Sequence, residues 1–311
     1  MRIVLAGGTG FLGRALGDAM VTAGHEVVVL SRQAPPAPRP GQVWTGTAAT
    51  RHARWTGADD LTGWGHVVDA ADAIVNLAGE SIAERRWTDA QKHRLRESRL
   101  ETTRAIARAI QAATRPPQTL LNASAVGYYG SRGDTRLVER SSPGDDFLGR
   151  LCVEWESEAR AAGGPGTSVV YLRTGIVLER DGGALAKMLL PFRLFAGGPV
   201  GAGDQYMSWI HRADWVALVL WLLEQAEDGP FNATAPEPVT NAEFARALGR
   251  ALGRPSWLPA PALAMRLALG EMADALLLGG QRVIPQRALE LGFQFQYPTI
   301  DLALRAIFAR A

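Results

Sequence analysis

The stretch VLAGGTGFLG, from Val4 to Gly13, decides the fold. Its glycines can be counted two ways. Gly8-x-Gly10-x-x-Gly13 fits GxGxxG, and Gly7-x-x-Gly10-x-x-Gly13 fits GxxGxxG. On either count they follow a short apolar run, Arg2–Ala6, that reads as a buried strand. They open a helical pattern, Leu12–Ala23, that stops at Gly24. Strand, glycine turn and helix in that order form the context of a dinucleotide-binding loop. The first glycine permits the tight turn and the middle one lets backbone N–H groups approach a pyrophosphate. The last lets helix and strand pack closely, with the helix N-terminus facing the anion.

Outward from this loop, strand and helix patterns alternate. Glu26–Leu30 is a β-branched strand, and Pro35, Pro36, Pro38 and Pro40 make residues 33–42 an irregular loop. His52–Trp55 is a weak third strand, and Asp72–Leu77 is a clear one ending in Ala78-Gly79. Thr88–Ala113 has the pattern of a long charged amphipathic helix. Gln118–Ser124 is a strand, Asp146–Ala162 a helix, and Ser168–Arg173 another strand. This alternation predicts an α/β fold, a Rossmann-like doubly wound parallel sheet with right-handed crossovers. After Leu178 the rhythm changes. Trp215–Gln225 reads as a helix, 230–240 as a loop with three prolines, and Thr240-Asn241-Ala242-Glu243 as a capping box opening a helix to Leu252. Residues 261–311 are mostly helical in pattern. The predicted division is a nucleotide-binding domain over 1–178, with 209–235 returning to it, and a smaller, mostly helical C-terminal substrate domain over 179–311.

Composition narrows the function. Of 311 residues 47% are hydrophobic, enough for a large core, and 33 cations against 31 anions leave a net charge of +2. No strong field calls for nucleic acid or a membrane. Lysine stands only at Lys92 and Lys187, so nearly all the cations are arginine. The single cysteine, Cys152, fits a reducing compartment. The N-terminal apolar run breaks at the glycines after five residues, and Trp215–Leu223 is far short of the ~20 residues that span a bilayer. A cytoplasmic protein acting on a small molecule, monomer or homodimer, is the expectation. No His/Cys/Asp cluster has metal-ligand spacing.

An NAD site usually carries an Asp or Glu about 20 residues past the glycines. Here the second strand ends Val29-Leu30-Ser31-Arg32 with no carboxylate. Ser31 and Arg32, with Arg14 at the helix start, suit a 2′-phosphate, so NADP(H) is favoured over NAD.

Longer motifs carry a resemblance. GGTGFLG, NLAGES (Asn76–Ser81), SAVGYYG and WIHRADW (Trp209–Trp215) resemble the extended and atypical short-chain dehydrogenase/reductases. NLAGESIAERRWT (Asn76–Thr88), SRLETTRAI (Ser98–Ile106), LCVEWE (Leu151–Glu156) and PVTNAEFARALG (Pro238–Gly249) narrow it further. They are similar to the "epimerase family" proteins of the NAD-dependent epimerase/dehydratase family. RVIPQRALELGFQFQYPTIDLAL (Arg282–Leu304) is similar to that family's small terminal domain of unknown function. The resemblance implies that Gly7, Gly8, Thr9, Gly10, Phe11, Leu12, Gly13 and Arg14 form the pyrophosphate site. Ser31 and Arg32 would take the adenosine-phosphate end. Leu77, Ala78, Gly79 and Glu80 would line the cofactor after the fourth strand, and Arg173, Thr174 and Gly175 would sit near the nicotinamide.

The catalytic signature is missing. Short-chain dehydrogenases use Ser, Tyr and Lys, with Tyr-x-x-x-Lys on a helix. The lysine bonds the nicotinamide ribose and lowers the tyrosine pKa. Here Thr88 precedes Lys92 and Gly183 precedes Lys187 by four residues, so no such pair exists. In the helix DDFLGRLCVEWE, Phe147 and Leu151, or Leu148 and Cys152, stand where Tyr and Lys belong. The serine position falls on Ala125, with Ser124 one place away, and Ser98 replaces a structural asparagine. The remaining catalytic candidates are Ser124 and Tyr129, which is expected at the mouth of the fifth strand beside the cleft. Arg132, four residues after Tyr128, could polarise a phenol. Glu80, Arg85 and Arg86 could bind an anion. Asp214 is expected as the N-cap of the Trp215–Gln225 helix, with His211 packed beside it. The expected activity is NADP(H)-dependent oxidoreductase or epimerase-like chemistry on a small polar carbonyl or sugar-derived substrate. The alternative is a non-catalytic NADPH sensor or scaffold.

Overall fold

A computed structural model describes residues 1–32, 50–56, 60–225 and 227–309. The predicted irregular loop at 33–42 lies outside the described residues. Seven strands form one sheet: β1 (Arg2–Ala6), β2 (Glu26–Ser31), β3 (Thr50–Arg54), β4 (Ala73–Asn76), β5 (Thr119–Ala125), β6 (Ser168–Thr174) and β7 (Gly229–Ala233). Their spatial order is 3-2-1-4-5-6-7, and every pairing is parallel. The order reverses between β1 and β4, whose registers are Ile3↔Ala73 and Ala6↔Asn76. That reversal opens a crevice at the carboxyl ends of the strands, where open α/β sheets bind their ligands.

Period-two alternation divides the core. Ile3, Leu5, Val27 and Val29 face one way, onto α1 (Phe11–Thr22) and, later in the chain, α5 (Arg212–Glu224), through Leu16, Met20, Trp215, Leu218 and Leu222. Val4, Ala6, Val28 and Leu30 face the other way, packing with Ile106 and Ile110 of α2 (Asp89–Ala112) and Ala159 of α3 (Phe147–Arg160). Because both faces are covered, the strands read as continuous apolar runs. Thr88 caps α2, its side chain accepting from the Gln91 N–H at 3.2 Å. On the outer side α2 is bound to α3 by ion pairs, Arg96–Glu154 at 2.6 Å and Arg104–Glu158. This outer surface carries charge.

The longer of the remaining helices, α4 (Gly183–Arg193), α6 (Asn241–Leu252), α7 (Ala262–Leu269) and α8 (Ile300–Phe308), lie in the C-terminal part. Leu185, Leu189, Trp209, Phe244, Leu248 and Leu304 make the core shared by α4, α6 and α8, while α7 buries none of its residues. The predicted capping box is present: Thr240 accepts from the Glu243 N–H, and the Glu243 carboxylate accepts from the Thr240 N–H at 2.7 Å. One expectation fails. Residues 229–233 are a strand rather than loop, pairing Phe231↔Leu172 on the sheet edge. Pro230 is compatible with this because β7 has a neighbour on one side only. Among the described residues no helix is long and apolar enough to cross a membrane.

Candidate functional site

The glycine loop sits at the crevice between β1 and β4. Gly7 has φ +79°, and a Cβ there would lie 2.8 Å from the Leu77 carbonyl carbon and 2.9 Å from the Ala78 nitrogen. Only glycine tolerates both the conformation and the approach. Gly10 donates its N–H to the Gly7 carbonyl at 3.1 Å and then serves as the α1 N-cap, with no side chain to bond the first-turn amides. Gly10 is exposed and Thr9, Phe11, Leu12 and Arg14 are half-buried, so uncapped helix amides open onto the crevice. Gly8 and Gly13 are buried beneath them. Phe11 packs where a Cβ on Gly182 would stand, 2.5 Å from its ring, which brings the start of α4 against the loop.

Ser31 ends β2 half-buried, and Arg32 follows it exposed. Neither the Arg14 nor the Arg32 guanidinium has a hydrogen-bond or ion-pair partner among the described residues. Both guanidinium groups are thus uncommitted, one in the first turn of α1 and one just past β2, and arginines at these positions suit a dinucleotide bearing an extra phosphate. Past β4, Leu77 and Ala78 are half-buried and Gly79 is exposed. Glu80 is committed: its carboxylate accepts from Gln91 Nε2 at 2.8 Å, and its N–H donates to Ser98 Oγ at 3.1 Å. It orients the start of α2 rather than an anion. Arg85 and Arg86 are exposed, with Arg86 Nε 3.0 Å from a Cβ position on Gly270.

Both catalytic candidates fall away from the crevice. Tyr129 is fully buried. Its hydroxyl donates to Asn232 Oδ1 at 2.7 Å and accepts from Arg173 Nη1 at 3.0 Å. Burial pushes its pKa up to about 12, against the opposing pull of Arg173. Ser124 is buried too and donates to Glu156 Oε1 at 2.7 Å. Successive side chains on a strand point to opposite faces, so one residue out of register puts Ser124 beneath α3.

Arg173, expected beside the nicotinamide, is the centre of this network. It is 3% exposed and pairs with Glu156 through Nε–Oε1 and Nη2–Oε2, both 2.8 Å. A further N–H reaches the Glu139 carbonyl at 2.9 Å. Burial works to lower the Arg173 pKa, but Glu156 and Tyr129 raise it on balance. Burial likewise pushes the Glu139 carboxyl up. Thr174 accepts from Trp215 Nε1 at 3.2 Å, and a Cβ on Gly175 would meet the Ser208 carbonyl at 2.5 Å. Both hold α5 and the Trp209–His211 strand to the sheet.

Tyr128, its neighbour, is the half-buried tyrosine. The Arg173 guanidinium lies 3.4 Å from its ring centroid, and its hydroxyl has no partner among the described residues. Arg132 does not serve it, being bonded instead to the Pro143 carbonyl at 2.9 Å. His211, not Asp214, caps α5, its Nδ1 accepting from the Ala213 N–H at 3.0 Å. Asp214 accepts from the Gln296 and Tyr297 N–H groups at 2.8 and 2.9 Å.

Where Tyr and Lys would stand, the wall is apolar. Phe147 packs edge-on to Trp87 with centroids 5.2 Å apart, and Leu148, Leu269 and Met272 complete the cluster. Burial pushes the Cys152 thiol up to about 11, leaving it protonated and inert near neutral pH. Sequence reasoning assigns Arg99 no role, yet its guanidinium lies at the end of β4 against Gly79. No spacing rule links a mid-helix arginine to a strand end, so only the packing reveals it.

Residues 3–234 match the model of the NAD dependent epimerase/dehydratase family, and residues 260–307 match a domain of unknown function, DUF1731. The chain belongs to the NAD dependent epimerase/dehydratase family. The epimerase family protein SDR39U1 of Bos taurus is 41% identical over 99% of this chain and 100% of its own. Epimerase family protein YfhF of Bacillus subtilis is 37% identical over 99% and 98%. Human SDR39U1 (isoform 2), crystallised with NADPH, superposes with a TM-score of 0.89 at 38% identity over the whole of both chains. Within this family frame the fold and glycine loop are retained while the acid–base pair is absent.

Proposed function

We propose that this chain binds NADP(H) at the glycine loop, and that holding the cofactor, as a sensor or scaffold, is its primary function. One observation carries the reading: an open anion cradle stands beside a catalytic position with no proton-active side chain. The α1 amides and Gly10 would take the pyrophosphate, and Arg14 and Arg32 the 2′-phosphate. The human relative's NADPH supports the choice of cofactor. When bound, the cofactor supplies a hydride donor or acceptor at its nicotinamide. Calorimetric titration tests the reading. Wild type should bind NADPH more tightly than NADH. Arg32→Glu should weaken NADPH about 10-fold or more while leaving NADH nearly unchanged. Equal wild-type affinities for the two would defeat the 2′-phosphate assignment.

The free hydroxyl of Tyr128 favours a second reading, reduction of a small polar carbonyl or sugar-derived substrate. Tyr128 would give its proton to the carbonyl oxygen as hydride reaches the carbon, and would regain a proton from water. The Arg173 guanidinium beneath its ring would stabilise the phenolate meanwhile. NADPH oxidation against a panel of carbonyl compounds checks this. Tyr128→Phe should lower kcat about 100-fold with NADPH affinity unchanged. Wild-type silence across the panel would leave the binding role standing and remove this one.

A further inference from the structure

Arg99 projects from α2 toward the carboxyl end of β4. A Cβ on Gly79 would lie 3.2 Å from its Cγ and 3.3 Å from its Cζ, so the arginine covers the spot that a side chain at 79 would fill. Nη1 donates to the Leu95 carbonyl at 2.9 Å and Nη2 to the Glu80 carbonyl at 3.0 Å. The guanidinium lies 5.2 Å from the Trp155 ring centroid, and that indole is itself fixed by an Nε1 bond to Thr103 Oγ1 at 2.8 Å. The cation is thus held from three sides in one position.

It is also uncompensated. Among the described residues no carboxylate lies within ion-pair distance of Arg99. Burial lowers its pKa, opposed by charge interactions with the Cys152 thiol and Glu80. A guanidinium has five N–H groups, and two of these are spent on carbonyls. The other three have no acceptor among the described residues. Arg99 is half-buried, so a ligand seated over Gly79 would complete its desolvation, and a cation taken from water without a counter-charge is costly unless oxygen acceptors meet it. Position says which acceptors. Gly7 abuts the Leu77 and Ala78 backbone, and Gly79 with its arginine comes next along the crevice wall. From the glycine loop, then, the wall runs to Arg99 on the side away from Ser31 and Arg32.

We propose that Arg99 donates guanidinium N–H bonds to the hydroxyls of the cofactor's nicotinamide-side ribose, which makes it a positioning residue at the place where the sequence offers no lysine. This rests on the NADP(H)-binding reading above. An arginine does not exchange its proton, so it keeps the binding half of a lysine's work and discards the acid–base half. The idea also accounts for Cys152: with Arg99 beside it, α3 needs no cation of its own.

The experiment is calorimetric titration of wild type, Arg99→Met and Arg99→Lys with NADPH and, separately, with adenosine 2′,5′-bisphosphate. The bisphosphate contains the adenosine end but no nicotinamide ribose. Arg99→Met should weaken NADPH about 10- to 100-fold and leave the bisphosphate unchanged. Arg99→Lys, which retains charge and bulk, should recover part of the NADPH loss and guards against a misfolded methionine variant. Unchanged NADPH affinity in both variants would overturn the proposal. So would an equal loss for both ligands, which would make Arg99 a brace for the loop and nothing more. If wild type bound neither ligand, the cofactor reading itself would fail.

Discussion

Arg173→Met is expected to lower the free energy of unfolding by about 3–5 kcal/mol, the usual cost of stranding one partner of a buried ion pair. Glu156 is 5% exposed, and both its oxygens accept from Arg173. Removing the guanidinium leaves that carboxylate inside the protein with, among the described residues, only the Ser124 hydroxyl as donor. Tyr129 and the Glu139 carbonyl each lose a donor as well. The damage spreads because the network joins separate elements: Ser124 of β5, Glu156 of α3, Arg173 of β6 and Asn232 of β7, which donates on to the Ile284 carbonyl at 2.9 Å. Urea denaturation measures the effect as a lower midpoint at nearly unchanged slope. The double variant Arg173→Met/Glu156→Leu should regain much of the loss, because no charge is then stranded. Tyr129→Phe should cost less, about 1–3 kcal/mol, by leaving Asn232 Oδ1 without its donor. If Arg173→Met left stability intact but weakened NADPH, the arginine would belong to the cofactor site after all.

That outcome bears on what a sequence can reveal. The strand–glycine–helix order and the alternation of apolar runs made the sheet legible, since each is a local pattern with a physical period. The Thr240–Glu243 box was legible for the same reason: a cap is a short-range bond. The roles of Ser124, Tyr129 and Arg173 were not. Motif position put them at strand ends near the crevice, but which face a side chain takes depends on register. A shift of one residue moved Ser124 under α3. Tyr128 and Tyr129 differ by one position, yet one is half-buried with a free hydroxyl and the other is closed inside a network whose partners lie 44 and 103 residues away. Arg99 lies within SRLETTRAI, but its role comes from a strand end twenty residues upstream, which no local pattern reveals. Residues 229–233 were hidden by Pro230, which excludes a central strand but not an edge strand.

Gly13→Ala is expected to reduce NADPH affinity at least about 100-fold, or about 2.7 kcal/mol. The added methyl would stand 2.6 Å from Gly8 Cα and 2.9 Å from its carbonyl carbon, with the Gly7 carbonyl oxygen closer still. These are backbone atoms, so no side chain can swing aside to admit it. Nor can the loop retreat as a whole, since Gly7 is already pressed to 2.8 Å (counting a Cβ in place) against the Leu77 backbone. Either α1 lifts away from the loop or the loop bulges into the crevice, and both displace the amides meant for the pyrophosphate. The overpacking should also cost about 1–3 kcal/mol of stability while far-ultraviolet circular dichroism stays native. Gly24→Ala separates the two effects. Gly24 has φ +82° with nothing within 4 Å of a Cβ position, and it ends α1 far from the crevice. It should lose about 1–2 kcal/mol to the left-handed backbone and bind NADPH as wild type does. Near-wild-type NADPH binding by Gly13→Ala would mean that the cofactor site lies somewhere other than the glycine loop.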